Sequence, residues 1–198
     1  AEALSNLGGM YHLKGDLDLS LELYSQAYEI FSRLGASQGA SIAQSNIGLI
    51  HQSKGDLHLA QEFFQKSIAT KEELGDDLGA ASTRLSLGLI FQLRGEWDRA
   101  QSCFEEAARA FEDLGDLKGL AAAENNLGNL YLDRSDPMHA ILCYRLSLEA
   151  HSALDDKRGM AATLGNLAAV YLQNGDWKKA EELNLQSMES FQELGDAC

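Results

Sequence analysis

Apolar side chains recur at helical spacing along the whole chain, as in Leu4, Leu7 and Tyr11 and then Leu17, Leu21, Tyr24, Tyr28 and Phe31. Strand-like alternation never persists, so the pattern is all-α. It is punctuated at a constant interval: Gly15-Asp16, Gly55-Asp56, Gly95-Glu96, Ser135-Asp136 and Gly175-Asp176 each fall 40 residues apart. Self-similarity at a fixed period of about 20 to 50 residues marks stacked supersecondary units whose core lies between neighbours. The spacing predicts five units, at about residues 1–36, 37–76, 77–116, 117–156 and 157–198, stacked as one elongated domain with two helices in each unit.

Both connections in a unit are written as tight turns. Gly at the end of the first helix can adopt the left-handed conformation that closes its last turn, and the Asp beside it can accept orphan N–H bonds at the start of the second. The only proline, Pro137, directly follows Asp136 at the first helical position, where a missing N–H and a fixed φ cost nothing. A second turn reads Leu34-Gly35, Leu74-Gly75-Asp76, Leu114-Gly115-Asp116, Leu154-Asp155-Asp156 and Leu194-Gly195-Asp196. Short links place successive helices antiparallel, which gives an α-solenoid of five antiparallel hairpins.

The residues themselves resemble the tetratricopeptide repeat. Its Leu-Gly-x-x-Tyr run stands as Leu7-Gly8-x-x-Tyr11 and Leu127-Gly128-x-x-Tyr131, with relaxed copies at Ile47-Gly48, Leu87-Gly88-x-x-Phe91 and Leu167-Ala168-x-x-Tyr171. Its Ala-x-x-x-Phe run stands as Ala60-x-x-x-Phe64, Ala100-x-x-x-Phe104 and Ala140-x-x-x-Tyr144. The family's Trp is replaced by Leu4, Gln44, Arg84, Glu124 and Leu164, and its closing Pro is missing. Against the usual 34-residue period, six extra residues add roughly 9 Å of helix per unit. This looks like the 40-residue subclass of Pins-type polarity adaptors and many bacterial signalling proteins, with kinesin light chains more distant. The resemblance implies a right-handed superhelix whose first helices line a concave groove.

Composition changes this picture in three ways. The net charge of −14 opposes binding to nucleic acid or anionic lipid, which need clustered Lys and Arg, and favours neutral or basic protein partners. The predicted first helices hold only four of the thirty acids but eight of the sixteen basic residues, so the acidity belongs to the second helices and turns. Lys14, Lys54, Arg94 and Arg134 stand just before a turn, where a cation offsets the helix dipole. Cys103, Cys143 and Cys198 are odd in number without metal-type spacing, which fits a reducing, cytoplasmic compartment, and Cys103 and Cys143 occupy positions held elsewhere by Leu23, Phe63 and Leu183. No long apolar run or leader occurs. The chain begins without Met inside an apolar-periodic segment, which predicts a piece of a longer protein.

Catalytic chemistry has no foothold. The histidines form no metal pair with an acidic third ligand, and the glycines keep register with the repeat instead of forming a phosphate loop; no cofactor, metal or catalytic residue is expected. His51 is read as a packing residue, and Trp97 and Trp177 are expected between hairpins.

The candidate site is an amide ladder on the first helices: Asn6, Asn46, Asn126 and Asn166, with Ser86 in the middle copy. Asn is a poor helix-interior residue, so its recurrence calls for a compensating partner. Two are open: the C=O and N–H of a bound peptide, or a neighbouring repeat. Asn125, Asn129, Leu49, Leu89, Gln52 and Gln92 surround the ladder, and Arg84 is the mid-helix cation. The expected function is a non-catalytic scaffold binding an extended or helical segment of a partner protein. Alternatives are a regulatory or sensor arm of a larger signalling protein or enzyme, and end-to-end self-association through Met188, Phe191 and Leu194.

Overall fold

The computed structural model describes residues 1–193 and 195. The turn residues Leu194 and Asp196, and Cys198, lie outside them. Among the described residues there are ten α-helices and no strand: α1 (Glu2–Lys14), α2 (Leu17–Arg33), α3 (Ser37–Ser53), α4 (Leu57–Glu73), α5 (Asp77–Leu93), α6 (Trp97–Leu114), α7 (Leu117–Asp133), α8 (Pro137–Ala153), α9 (Lys157–Gln173) and α10 (Trp177–Glu193). The fold is an α-solenoid built of the predicted helix pairs. It divides into two compact units, Ala1–Glu96 and Trp97–Cys198.

The turns follow their predicted chemistry. Asp56 N–H donates to the His51 carbonyl at 2.8 Å and Gly55 N–H to Gln52 at 3.0 Å, with Gly55 at φ 83°, which satisfies the orphan carbonyls at the end of α3. Where glycine is replaced, Ser135 and Asp155 still take φ of 59° and 51°. The Asp that opens the next helix accepts a backbone N–H in five cases: Asp16 from Leu19, Asp76 from Gly79, Asp136 from His139, Asp156 from Gly159 and Asp176 from Lys179.

Inside each unit, hairpins close through one close approach. The glycine of the Leu-Gly run lies under an aromatic of the second helix: a Cβ on Gly48 would stand 2.7 Å from the Phe64 ring, and one on Gly128 would stand 2.6 Å from Tyr144. Phe64 and Tyr144 are fully buried beside Ala60 and Ala140. In the last repeat Ala168 replaces the glycine and Asn184 the aromatic, so the two positions change together.

Neighbouring repeats join by apolar stacking and by polar staples. Ile47 and Ile50 of α3 pack on Tyr24 of α2, with Leu17, Leu21 and Tyr28 around them. Within a repeat, buried serine hydroxyls of the second helix donate to carbonyls of the paired first helix: Ser67 to Ser41 at 2.8 Å, Ser147 to Ala121 at 2.9 Å and Ser187 to Ala161 at 2.7 Å. The cations before the turns do more than offset helix dipoles. Lys54 Nζ reaches Asp18 of the preceding repeat at 2.7 Å, and Arg134 reaches Asp98 at 3.2 Å, both across 36 residues. Where His58 replaces that Asp, Arg94 turns to Gln61 at 2.6 Å. Lys54 in turn holds the Asp18 carboxyl below its usual range.

His51 is buried, as its packing role requires, and stacks on Phe63 with ring centroids 5.6 Å apart. Trp177 departs from expectation. It is 69 % exposed, because the equivalent Leu17 is covered by the first helix of the following repeat and no such helix follows α10 among the described residues.

Candidate functional site

Within each compact unit the first helices form the inner row. Among the described residues α1 approaches α3, α3 approaches α5 and α7 approaches α9, while within each unit the second helices do not meet one another. A stack that touches along one row and splays along the other leaves its concavity over the touching row.

Two hollows open along this row in the first unit. One, of about 610 Å³, is lined by Ser5 and Asn6 of α1, by Gln38, Gly39 and Ile42 of α3, and by Phe31 and Leu74. The Ser5 hydroxyl is buried on that wall and has no hydrogen-bond partner among the described residues. The other, of about 220 Å³, lies between α3 and α5 and is lined by Ile42, Ser45, Asn46, Leu49, Phe64, Lys71, Ser82, Thr83 and Ser86. Predicted ladder residues Asn6, Asn46 and Ser86, with Leu49, therefore reach hollow walls.

The amides differ in how they are used. Asn166 Nδ2 donates to Asn125 Oδ1 across to the neighbouring first helix at 2.9 Å, and Asn129 Oδ1 accepts from the Tyr144 hydroxyl at 2.6 Å. These three have internal partners. The side chains of Asn6, Asn46 and Asn126 make no hydrogen bond among the described residues; Asn46 and Asn126 are half-buried and Asn6 is exposed. Leu89, Gln52 and Gln92 are half-buried on their helices. Arg84 lies on a different flank of α5, paired with Glu72 of the preceding second helix. Its position is that of Gln44, which likewise reaches back to the Tyr28 hydroxyl of α2 at 3.4 Å.

Sequence reasoning missed a charged network below the second hollow. Lys71 of α4 is only 6 % exposed; its Nζ donates to Thr83 Oγ1 at 2.7 Å, to Ser45 Oγ at 3.0 Å and to the Gly79 carbonyl at 3.3 Å. Ser45 Oγ is also 2.6 Å from Ser67 Oγ. Burial pushes the Lys71 ammonium pKa down, with Asp76 opposing at longer range than an ion pair. The signal was available: Lys71 stands where the neighbouring repeats carry Phe31 and Phe111. In the second unit, Glu124 holds the equivalent of Arg84 and faces a hollow of about 370 Å³ with Leu117, Leu120, Leu146, Glu112 and Glu149. Burial raises the Glu124 carboxyl, and burial beside Glu124 pushes the Cys143 thiol up to about 12, which suits a packing role.

Among the described residues no group of His, Cys, Asp and Glu could hold a metal ion, and no helix is long and apolar enough to cross a membrane. The sequence profile of the tetratricopeptide repeat matches residues 1–73, 39–113 and 119–193. The chain is a member of the tetratricopeptide repeat family. That family generally mediates protein–protein interaction. Its fold is similar to BtubC (BKLC) from P. vanneervenii, with TM-score 0.87 and 24% identity over 100% of this chain and 82% of that one. A putative kinesin light chain from Podosopora anserina with nearly identical TPR-like repeats gives TM-score 0.79 and 16% identity, over 99% and 97%. A signal transduction ATPase with numerous domains and a tetratricopeptide repeat sensor, from Pyrococcus horikoshii, gives TM-score 0.82 and 15% identity, covering 96% of this chain and 29% of that one. A comparison with curated protein sequences returned no match.

Proposed function

We infer that this repeat array is a non-catalytic scaffold that takes a peptide segment of a partner protein along the inner row of first helices. The observation that carries the reading is Asn46: half-buried on a hollow wall between Ile42 and Leu49, it keeps donor and acceptor free. An amide so placed matches the C=O and N–H of a peptide backbone, and the adjoining aliphatic groups supply anchors. The buried, unpartnered Ser5 hydroxyl supports the same reading one repeat earlier. The two described cysteines, Cys103 and Cys143, are free thiols, which suits a cytoplasmic setting.

Peptides selected from a display library against the chain provide the test. Asn46→Ala should weaken them about fivefold, the effect of one hydrogen bond, with melting unchanged. Equal binding by the variant would overturn the reading. A second reading, the sensor arm of a larger signalling protein, is favoured by the likeness to the Pyrococcus horikoshii protein, of which the matching array is a minor part. A third, end-to-end association, is favoured by Leu7 and Met10 of α1, which are 39% and 66% exposed where the equivalent Ile47 and Ile50 are buried; sedimentation across a concentration series decides it.

A further inference from the structure

The gap between successive second helices is filled differently from repeat to repeat. Between α2 and α4 it holds a hollow of about 170 Å³ lined by neutral side chains, among them Tyr28, Ser32, Gln44 and Thr70. Gln44 of α3 donates to the Tyr28 hydroxyl on that wall at 3.4 Å. One repeat on, Arg84 stands in the place of Gln44, and its guanidinium pairs with Glu72 of α4. In both repeats the first helix sends a side chain back to a partner on the second helix before it.

The equivalent hollow of the second unit, between α6 and α8 over α7, lacks that internal pair. Glu124 takes the place of Arg84, while Glu112 keeps the place of Glu72, so two carboxylates line the space that an ion pair fills one repeat earlier. Glu149 of α8 adds a third. Among the described residues none of the three makes an ion pair, and no cation lines the hollow. Glu124 is half-buried, Glu112 and Glu149 are exposed, and Leu117, Leu120 and Leu146 make the walls apolar. The space is also larger, about 370 Å³, with Ala108 where the first hollow has Tyr28. Burial raises the Glu124 carboxyl and Glu112 adds to the rise, a condition that a cation relieves. The preceding repeat shows which cation a carboxylate at the Glu112 position takes, a guanidinium, and aliphatic walls suit the methylene stem that carries one.

We propose that the hollow between α6 and α8 takes an arginine side chain of a partner protein, its guanidinium among Glu112, Glu124 and Glu149 and its stem against Leu117, Leu120 and Leu146. The partner supplies from outside the charge that Arg84 supplies from within. This site lies between second helices and not along the inner row, so it stands apart from the groove reading. It also gives the acidity of the second helices a place where a basic partner is recognised in addition to its role as a solvated face.

The test is a nitrogen-15 NMR titration of the 198-residue chain at pH 7 with N-acetylarginine N-methylamide. N-acetylcitrulline N-methylamide is the neutral isostere, and N-acetyllysine N-methylamide has equal charge without the planar fork. The arginine probe should shift the amides of Leu120, Glu124 and Ala150 saturably, with about millimolar affinity and about tenfold preference over citrulline, and lysine should bind more weakly. Glu124→Arg, which restores the pair of the preceding repeat, should abolish the preference, and Glu124→Gln should lower it severalfold. Glu189→Gln removes one charge from an exposed site on α10 and should leave it unchanged. The proposal falls if the arginine shifts do not saturate, if citrulline or lysine binds as well, if the preference survives both Glu124 variants, or if Glu189→Gln lowers it equally. Peptide binding along the inner row is unaffected by either result.

Discussion

Ser135 and Asp155 hold a left-handed backbone in turns where other repeats use glycine. A side chain there is disfavoured by about 1 kcal/mol or more, so Ser135→Gly is expected to stabilise the chain by about 0.5–1 kcal/mol in urea unfolding. Glu124 makes a prediction with a sign. Its folded pKa is raised from 4.5, chiefly by burial, so its contribution to stability is full below the unfolded value and is lost as pH rises through the folded one. Glu124→Gln should therefore raise the urea midpoint at pH 7 and make little difference at pH 4. At this scale the sequence was partly legible. The turn glycines, the capping Asp residues and His51 are local choices that announce themselves. Lys71 is visible only against the aromatics at its equivalent positions, because a single lysine on a helix ordinarily reads as solvated.

Each helix carries faces with separate duties, and the amide ladder shows how far a helical pattern alone resolves them. Equal spacing gives Asn46, Asn126 and Asn166 equivalent positions in their repeats, but which amides are satisfied depends on the neighbouring first helix. Asn166→Ala breaks the bond to Asn125 and is expected to cost about 1 kcal/mol of stability. Asn126→Ala removes a poor helix former with no described partner, so it should leave stability equal or higher by up to about 0.7 kcal/mol and weaken a selected peptide instead. Parallel thermal melts and peptide titrations separate the two. Arg84 was assigned to the groove because it is mid-helix, yet two residues before Ser86 is a rotation of roughly 200°, enough to turn it toward Glu72. The 36-residue reach from Lys54 to Asp18 and from Arg134 to Asp98 was likewise hidden, because each partner lies in the previous repeat.

Across the molecule, the five-fold repeat and all-α class were readable before any coordinates, since a 40-residue period with two turn signals leaves few ways to bury apolar faces. Ligand chemistry was less so: net charge averages over surfaces that face opposite ways, whereas the α3–α5 hollow is built from residues on three helices. The hairpin and stacking contacts within a unit join helices one or two apart in the chain, so a whole period is the natural unit of change. Excising residues 37–76 brings α5 to the place of α3 with equivalent faces, and circular dichroism should report a cooperative helical fold of lower melting temperature. Excising only 57–76 sets a first helix where a second belongs, and should abolish cooperative melting. The same nearest-neighbour wiring has a bearing on ancestry. A gene that gains or loses 120 base pairs in frame hands its product a longer or shorter ruler with unchanged markings, so reach along a partner can be adjusted by copying alone, without inventing a new surface.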